Sequence, residues 1–89
     1  MNATKETIRE TLKNFIITNF LANKEQETLT YDTPLISGGL IDSILTMQVV
    51  VFIEKTYQFD FEAHEVDRDN LNTINLMTDF IDKKINGKG

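Results

Sequence analysis

Apolar positions near the start of the chain recur with the period of an α-helix. Ile8, Leu12, Phe15, Ile16 and Phe20 stand four, three, one and four residues apart, one stripe of a 3.6-residue repeat. Lys5, Arg9, Glu10, Lys13 and Asn14 fall on the other faces. The pattern predicts a helix from about Thr4 to Leu21. Ile17 and Leu21 lie off the stripe, so they are either exposed or covered by the segment that follows. From Asn23 to Ile41 no period is sustained, and Asp32-Thr33-Pro34 and Ser37-Gly38-Gly39 are turn signals. A loop this long is unusual in a small domain. Leu29, Tyr31, Leu35, Ile36 and Leu40 are expected to pin it to the core at intervals.

Asp42 is a good helix N-cap, and Ser43 to Tyr57 reads as one continuous helix. Ile44, Leu45, Met47, Val49, Val50, Val51, Phe52 and Ile53 make it apolar on nearly every face. The run Val49-Val50-Val51 would also suit a buried strand, but the apolar stretch is too long for one and holds no turn signal. Phe59-Asp60-Phe61 opens a polar connector with a single short helical turn expected near Val66 to Leu71. Asn72 or Thr73 caps a last helix, where Ile74, Met77, Ile81 and Ile85 form a stripe with Phe80 alongside. Asn86-Gly87-Lys88-Gly89 reads as a frayed tail. The expected fold is all-α: three main helices, a short fourth, and a long loop between the first two, with the main helices packed as a bundle.

The chain has 89 residues, 40% of them apolar, which suits one domain, 1–89, with a single modest core. Such a domain has little room for a deep catalytic cavity. There is no cysteine, which removes disulfides, thiolate metal sites and thiol catalysis and fits a reducing compartment. A net charge of -5 and a pI near 4.7 argue against nucleic acid, whose phosphates call for clustered Lys and Arg. Met1-Asn2-Ala3-Thr4-Lys5-Glu6 lacks the apolar run of a signal peptide, and no membrane-spanning apolar run occurs. The expectation is a cytoplasmic protein; the glycosylation triplet Asn2-Ala3-Thr4 then carries no weight.

The informative stretch is Leu35-Ile36-Ser37-Gly38-Gly39-Leu40-Ile41-Asp42-Ser43-Ile44. Two glycines let the backbone bend sharply. An aspartate then caps a helix whose first residue is a serine, which sets the Ser43 hydroxyl at the start of an otherwise apolar helix. Here the chain resembles the acyl carrier and peptidyl carrier proteins, whose modification site is a Gly-x-x-Asp-Ser-Leu-like motif opening the second helix. Gly39-Leu40-Ile41-Asp42-Ser43-Ile44 looks like the form found in stand-alone carriers, D-alanyl and aminoacyl carriers among them. The resemblance extends over most of the chain: the first-helix stripe, Leu35, the Val49, Val50 and Ile53 positions, and Val66-Asp67-Arg68-Asp69-Asn70-Leu71-Asn72-Thr73-Ile74.

That resemblance implies a four-helix carrier domain that is not itself an enzyme. Ser43 would receive 4′-phosphopantetheine from coenzyme A through a phosphopantetheinyl transferase, and the arm's thiol would hold an acyl or aminoacyl group as a thioester. Asp42 would cap the helix and help the transferase recognise the site. The implied partners are that transferase, an acyl- or aminoacyl-activating adenylation enzyme, and downstream acyl-transfer or condensing enzymes. The carrier is expected as a monomer without nucleic acid or membrane. Ile44, Met47 and Val51 form an outward docking stripe if Val49, Val50 and Ile53 point inward; otherwise they are core. Fatty-acid carriers often line this helix with acidic residues, whereas here Leu45 and Gln48 stand at those positions and Glu54 is its one carboxylate. This favours apolar docking of the peptidyl or aminoacyl kind.

Other chemistries fit less well. Asp42, Ser43 and the single histidine, His64, supply the residue types of a hydrolase triad, but the Gly-x-Ser-x-Gly elbow is absent. Asp67, Asp69, Glu62 and Glu65 lack the spacing of a calcium loop and read as caps and solvated carboxylates, so no metal is expected. Gly38-Gly39 lacks the Lys-Ser/Thr of a phosphate-binding loop. The rival from another class is a small helical adaptor, which would use the same apolar helix face without any prosthetic group.

Overall fold

The first helix forms where its apolar stripe finds a surface to cover. In the computed structural model, which describes residues 4–20 and 29–87, α1 spans Lys5–Phe20. Thr4 and Thr7 bond reciprocally ahead of its first turn, each backbone N–H donating to the other's hydroxyl (3.1 and 3.2 Å). Ile8, Leu12 and Ile16 are fully buried, and Phe15 is half-buried. Ile17, off the stripe, is half-buried against the core. Leu21, the part of the expected loop from Asn23 to Thr28, Lys88 and Gly89 lie outside the described residues, as does the Phe20 side chain.

Helix α2 spans Ser43–Tyr57 with Asp42 as N-cap, the boundaries expected from sequence. It ends at Gln58, whose left-handed φ of 61° lets its N–H close on the Glu54 carbonyl. Val49, Val50 and Ile53 point into the core, and Thr46 is buried by turning its hydroxyl back onto the Asp42 carbonyl (2.7 Å). Phe52 stacks on Phe15 of α1, ring centroids 4.0 Å apart. The Tyr57 hydroxyl bonds Thr11, and its burial pushes its pKa above the usual phenol value more strongly than that bond lowers it.

The connector holds two short elements where the sequence suggested one. A 3₁₀ turn spans Ala63–Glu65, and α3 spans Arg68–Leu71 behind the Asp67 cap. Glu62 and Glu65 cap the first reciprocally, side chain to backbone in both directions. Thr73 caps α4, Ile74–Ile85, through a bond from Leu76 N–H (3.0 Å). Ile74, Met77 and Ile81 are fully buried and Ile85 half-buried. Phe80 joins Phe59 and Phe61 in an aromatic cluster that folds the connector back on α4. The Glu54 carboxylate accepts the Phe61 N–H (2.9 Å) at the other end of that turn-back.

Among the described residues the chain is all helical, with four α-helices and no strand. α4 is the shared element, packing along α1, against α3 and more briefly on α2. The long loop is tied to this frame as expected: Leu29 and Leu35 are buried, and Tyr31, Ile36 and Leu40 pack against the core from its edge. No helix among the described residues is long and apolar enough to cross a membrane.

Candidate functional site

The residues before Ser43 fold into a structure the sequence did not announce. Leu35 to Gly38 make a single helical turn that ends in a Schellman arrangement. Leu40 N–H reaches back to the Leu35 carbonyl (2.9 Å) and Gly39 N–H to Ile36 (3.1 Å). Gly39 takes the left-handed position, φ +80°. Gly38 is held against Pro34, to whose carbonyl its N–H donates (3.1 Å). An ideal Cβ on Gly38 would lie 2.3 Å from that same oxygen, so only glycine fits.

The turn then hands over to α2. The Asp42 carboxylate accepts the Leu45 N–H at 2.8 Å, and the Asp42 carbonyl accepts the Thr46 N–H at 2.8 Å as the first intrahelical bond. Ser43 and Ile44 stand ahead of that bond, so their N–H groups belong to the unfilled donors of a helix start. Ser43 is exposed there, at the positive end of the helix dipole. A nucleophile or phosphodiester at its hydroxyl would face these donors, an electrostatic setting suited to an anion.

An open groove of about 380 Å³ runs beside Ser43. Ile36 and Ile41 from the loop, Met47 from α2, Val66 from the connector and Leu71 from α3 supply its apolar lining, and Asp67 and Arg68 also line it. The expected stripe on α2 is exposed: Ile44 68%, Met47 48% and Val51 43%. These three follow at i, i+3 and i+7 and make one apolar face beginning next to Ser43. It continues into a second shallow groove lined by Phe15, Met47, Gln48, Val51, Phe52 and Lys55. Met47 borders both grooves. Leu76 on α4 is a further exposed apolar residue that the sequence pattern did not single out.

His64 takes no part in this constellation. It is exposed, 3.7 Å from the Glu62 carboxylate, and lines a different groove with Phe80, Lys83 and Lys84. The connector carboxylates are engaged locally. Asp67 accepts Asn70 N–H (3.2 Å), and Glu65 accepts Glu62 N–H (2.9 Å) and pairs with Lys84 at 2.8 Å. The Glu62 N–H and then the Lys84 ammonium hold the Glu65 carboxyl below its usual range. Among the described residues no group of three His, Cys, Asp or Glu is placed to hold a metal ion.

Sequence reasoning missed two parts of the site. Asn72 was a candidate cap for α4, but it ends α3 and anchors the loop, a role set by contacts across the fold. Arg68, which lines the same groove as Ser43, was equally hidden, because the two residues are brought to one groove only by the fold. No family model matches the chain, and no curated protein and no solved structure matches it.

Proposed function

We propose that this chain is a carrier protein with an acyl-carrier-like bundle, loaded through a 4′-phosphopantetheine arm on Ser43. The observation that carries the reading is the exposed Ser43 hydroxyl at the Asp42-capped start of α2, next to an exposed apolar face on the same helix. The sequence resemblance points the same way.

In the loading step the Ser43 Oγ, losing its proton to the transferase, attacks the coenzyme A phosphorus that bears the pantetheine. A phosphodiester to Ser43 forms, and the pyrophosphate bond breaks to release adenosine 3′,5′-bisphosphate. The arm supplies a thiol for thioester chemistry, which a chain without cysteine cannot supply itself. Ser43 fits the attachment: it is accessible, and the N–H groups at the helix start face a phosphodiester there. Asp42 holds the first turn in place. Ile44, Met47 and Val51 offer the docking face to transferase, adenylation enzyme and downstream acyl-transfer or condensing enzymes in turn. The carrier works by raising the local concentration of tethered cargo at each active site, and a cytoplasmic monomer is the form we propose.

Intact-protein mass after incubation with coenzyme A and a broad-specificity phosphopantetheinyl transferase tests this. One phosphopantetheine addition is expected on the wild type and none on Ser43→Ala. No addition, under conditions that modify a known carrier, would refute the reading and leave the exposed face of α2 to an adaptor.

A further inference from the structure

The helical turn Leu35–Gly38 has a start as well as an end, and its start is capped from across the fold. The first N–H groups of any helical turn lack partners within it. Here all three that open the turn converge on one residue: Leu35 N–H donates to the Asn72 carbonyl (2.7 Å), and Ile36 and Ser37 N–H both donate to Asn72 Oδ1 (2.9 Å each). Asn72 Nδ2 donates in return to Ser37 Oγ (3.1 Å). The side-chain bonds span 35 to 36 residues of chain. Asn72 itself is fixed at the end of α3, its N–H bonded to the Arg68 carbonyl (3.0 Å). One residue, through its carbonyl and its side-chain amide, therefore fastens the turn to the α3–α4 junction.

What the turn carries makes this more than packing. It presents Ile36 and leads through Ile41 to Asp42, and Ile36 and Ile41 line the groove beside Ser43 together with Leu71 and Arg68. Asn72 follows Leu71 directly in the chain and bonds the Ile36 N–H, so it links residues that line the groove from both segments. Without its side chain the turn loses two of its three caps, the acceptor of Ile36 and Ser37 N–H, and ordering Ile36 to Ile41 must be achieved at each encounter with a partner, at the expense of binding.

We propose that Asn72 is a positioning residue for modification of Ser43, holding the loop preorganised for the transferase. This rests on the carrier reading above. A second asparagine provides the matched comparison. Asn75, on the same end of α4, also staples the loop, but at its far part: its Nδ2 donates to Asp32 (2.7 Å) and its Oδ1 accepts from Arg9 (2.9 Å).

The test is steady-state modification with saturating coenzyme A, the carrier varied, for wild type, Asn72→Ala, Asn72→Asp and Asn75→Ala. Thermal midpoints and amide exchange at Gly38 to Ile41 are recorded on the same samples. Asn72→Ala should raise the carrier KM about tenfold with kcat within about twofold, the order expected when donors lose their acceptor. It should also speed exchange at Gly38 to Ile41. Asn72→Asp retains the acceptor oxygen and should restore KM to near the wild-type value. Asn75→Ala should lower the thermal midpoint about as much as Asn72→Ala while leaving KM unchanged. A wild-type KM for Asn72→Ala overturns the proposal, as does an equal KM rise in Asn75→Ala or a failure of Asn72→Asp to rescue. Should Asn72→Ala lose its helical circular dichroism, Asn72→Ser, too short to reach both N–H groups, is read the same way. A wild type that accepts no phosphopantetheine at all overturns the carrier reading and this role together, an outcome distinct from the others.

Discussion

The Asp42 carboxylate has two separable effects on α2, and two substitutions isolate them. It accepts the Leu45 N–H at 2.8 Å, and it places a negative charge at the positive end of a 15-residue helix. α2 depends on this start more than most helices do. Ile44, Thr46, Val49, Val50, Val51, Ile53 and Thr56 are β-branched, which lowers intrinsic helix propensity along its length. Asp42→Ala removes the cap, worth about 1 kcal/mol, and the charge, worth a few tenths more at an exposed site. The bonds from Thr46 N–H and Oγ1 run to the Asp42 backbone carbonyl and survive the change.

A loss of roughly 1–1.5 kcal/mol in a domain of this size lowers the thermal midpoint by about 5–10 °C. Asp42→Asn keeps the oxygen acceptor and loses only the charge, so its midpoint should fall by about 1–4 °C. The assay is thermal and urea unfolding followed by circular dichroism, at low and at high salt. Salt should narrow the gap between wild type and Asp42→Asn, because it screens the charge, and leave the gap between Asp42→Asn and Asp42→Ala in place. A midpoint for Asp42→Ala within a degree or so of wild type would refute the cap's contribution. Equal losses in both variants would refute the division into cap and charge.

Two further outcomes follow from the loop and the connector. Gly38→Ala drives a Cβ to within 2.3 Å of the Pro34 carbonyl, a backbone atom that no rotamer change can move; it should cost about 1–3 kcal/mol in urea unfolding. Gly39→Ala meets open space and suffers only from its φ of +80°, so it should cost less, about 1 kcal/mol, and the reverse order would contradict the geometry of the turn. Glu65 titrates below the ordinary carboxylate range when folded, first because of the Glu62 N–H and then Lys84. A depressed folded pKa stabilises above the unfolded value, and that stabilisation is lost as pH falls through the folded one. The stability difference between wild type and Glu65→Gln should therefore shrink on acidification from neutral pH through the carboxylate range, and a pH-independent difference would rule this out.

The parts of the fold legible in the sequence are those in which local pattern and final contact coincide. Ile8, Leu12 and Ile16 repeat at helical spacing and are all fully buried. Asp42 is a capping residue by type and caps in fact. Val49, Val50 and Ile53 could be assigned inward only as a set, and the same rotation of the helix sends Ile44, Met47 and Val51 out. The turn at Leu35–Gly38 stayed hidden because its donors are satisfied by Asn72, so nothing local marks it as helical. The 3₁₀ turn was missed for a related reason: its cap is Glu62, a residue type that seldom signals a helix start, made effective by reciprocity with Glu65. Phe59 and Phe61 read as connector residues, and only the return of α4 brings Phe80 against them.

The apolar exterior of α2 bears on the choice between carrier and adaptor. Burying a side chain such as Ile, Val or Met contributes roughly 1.5–3 kcal/mol. Ile44, Met47 and Val51 forgo much of that in the free protein, since they stand 68%, 48% and 43% exposed. Polar side chains there would leave the inner face of the helix unchanged, and both the proposed carrier and the adaptor reading explain the outer face by a partner that covers it. An adaptor with one permanent partner would favour a large interface, whereas this stripe is one helix face wide. Its position also matters. Met47 borders the groove beside Ser43 and the groove over Phe15 and Phe52, so an enzyme seated on the stripe reaches the Ser43 hydroxyl without moving along the surface. A small face ending at an exposed serine suits the brief contacts with successive enzymes that the proposed carrier role calls for.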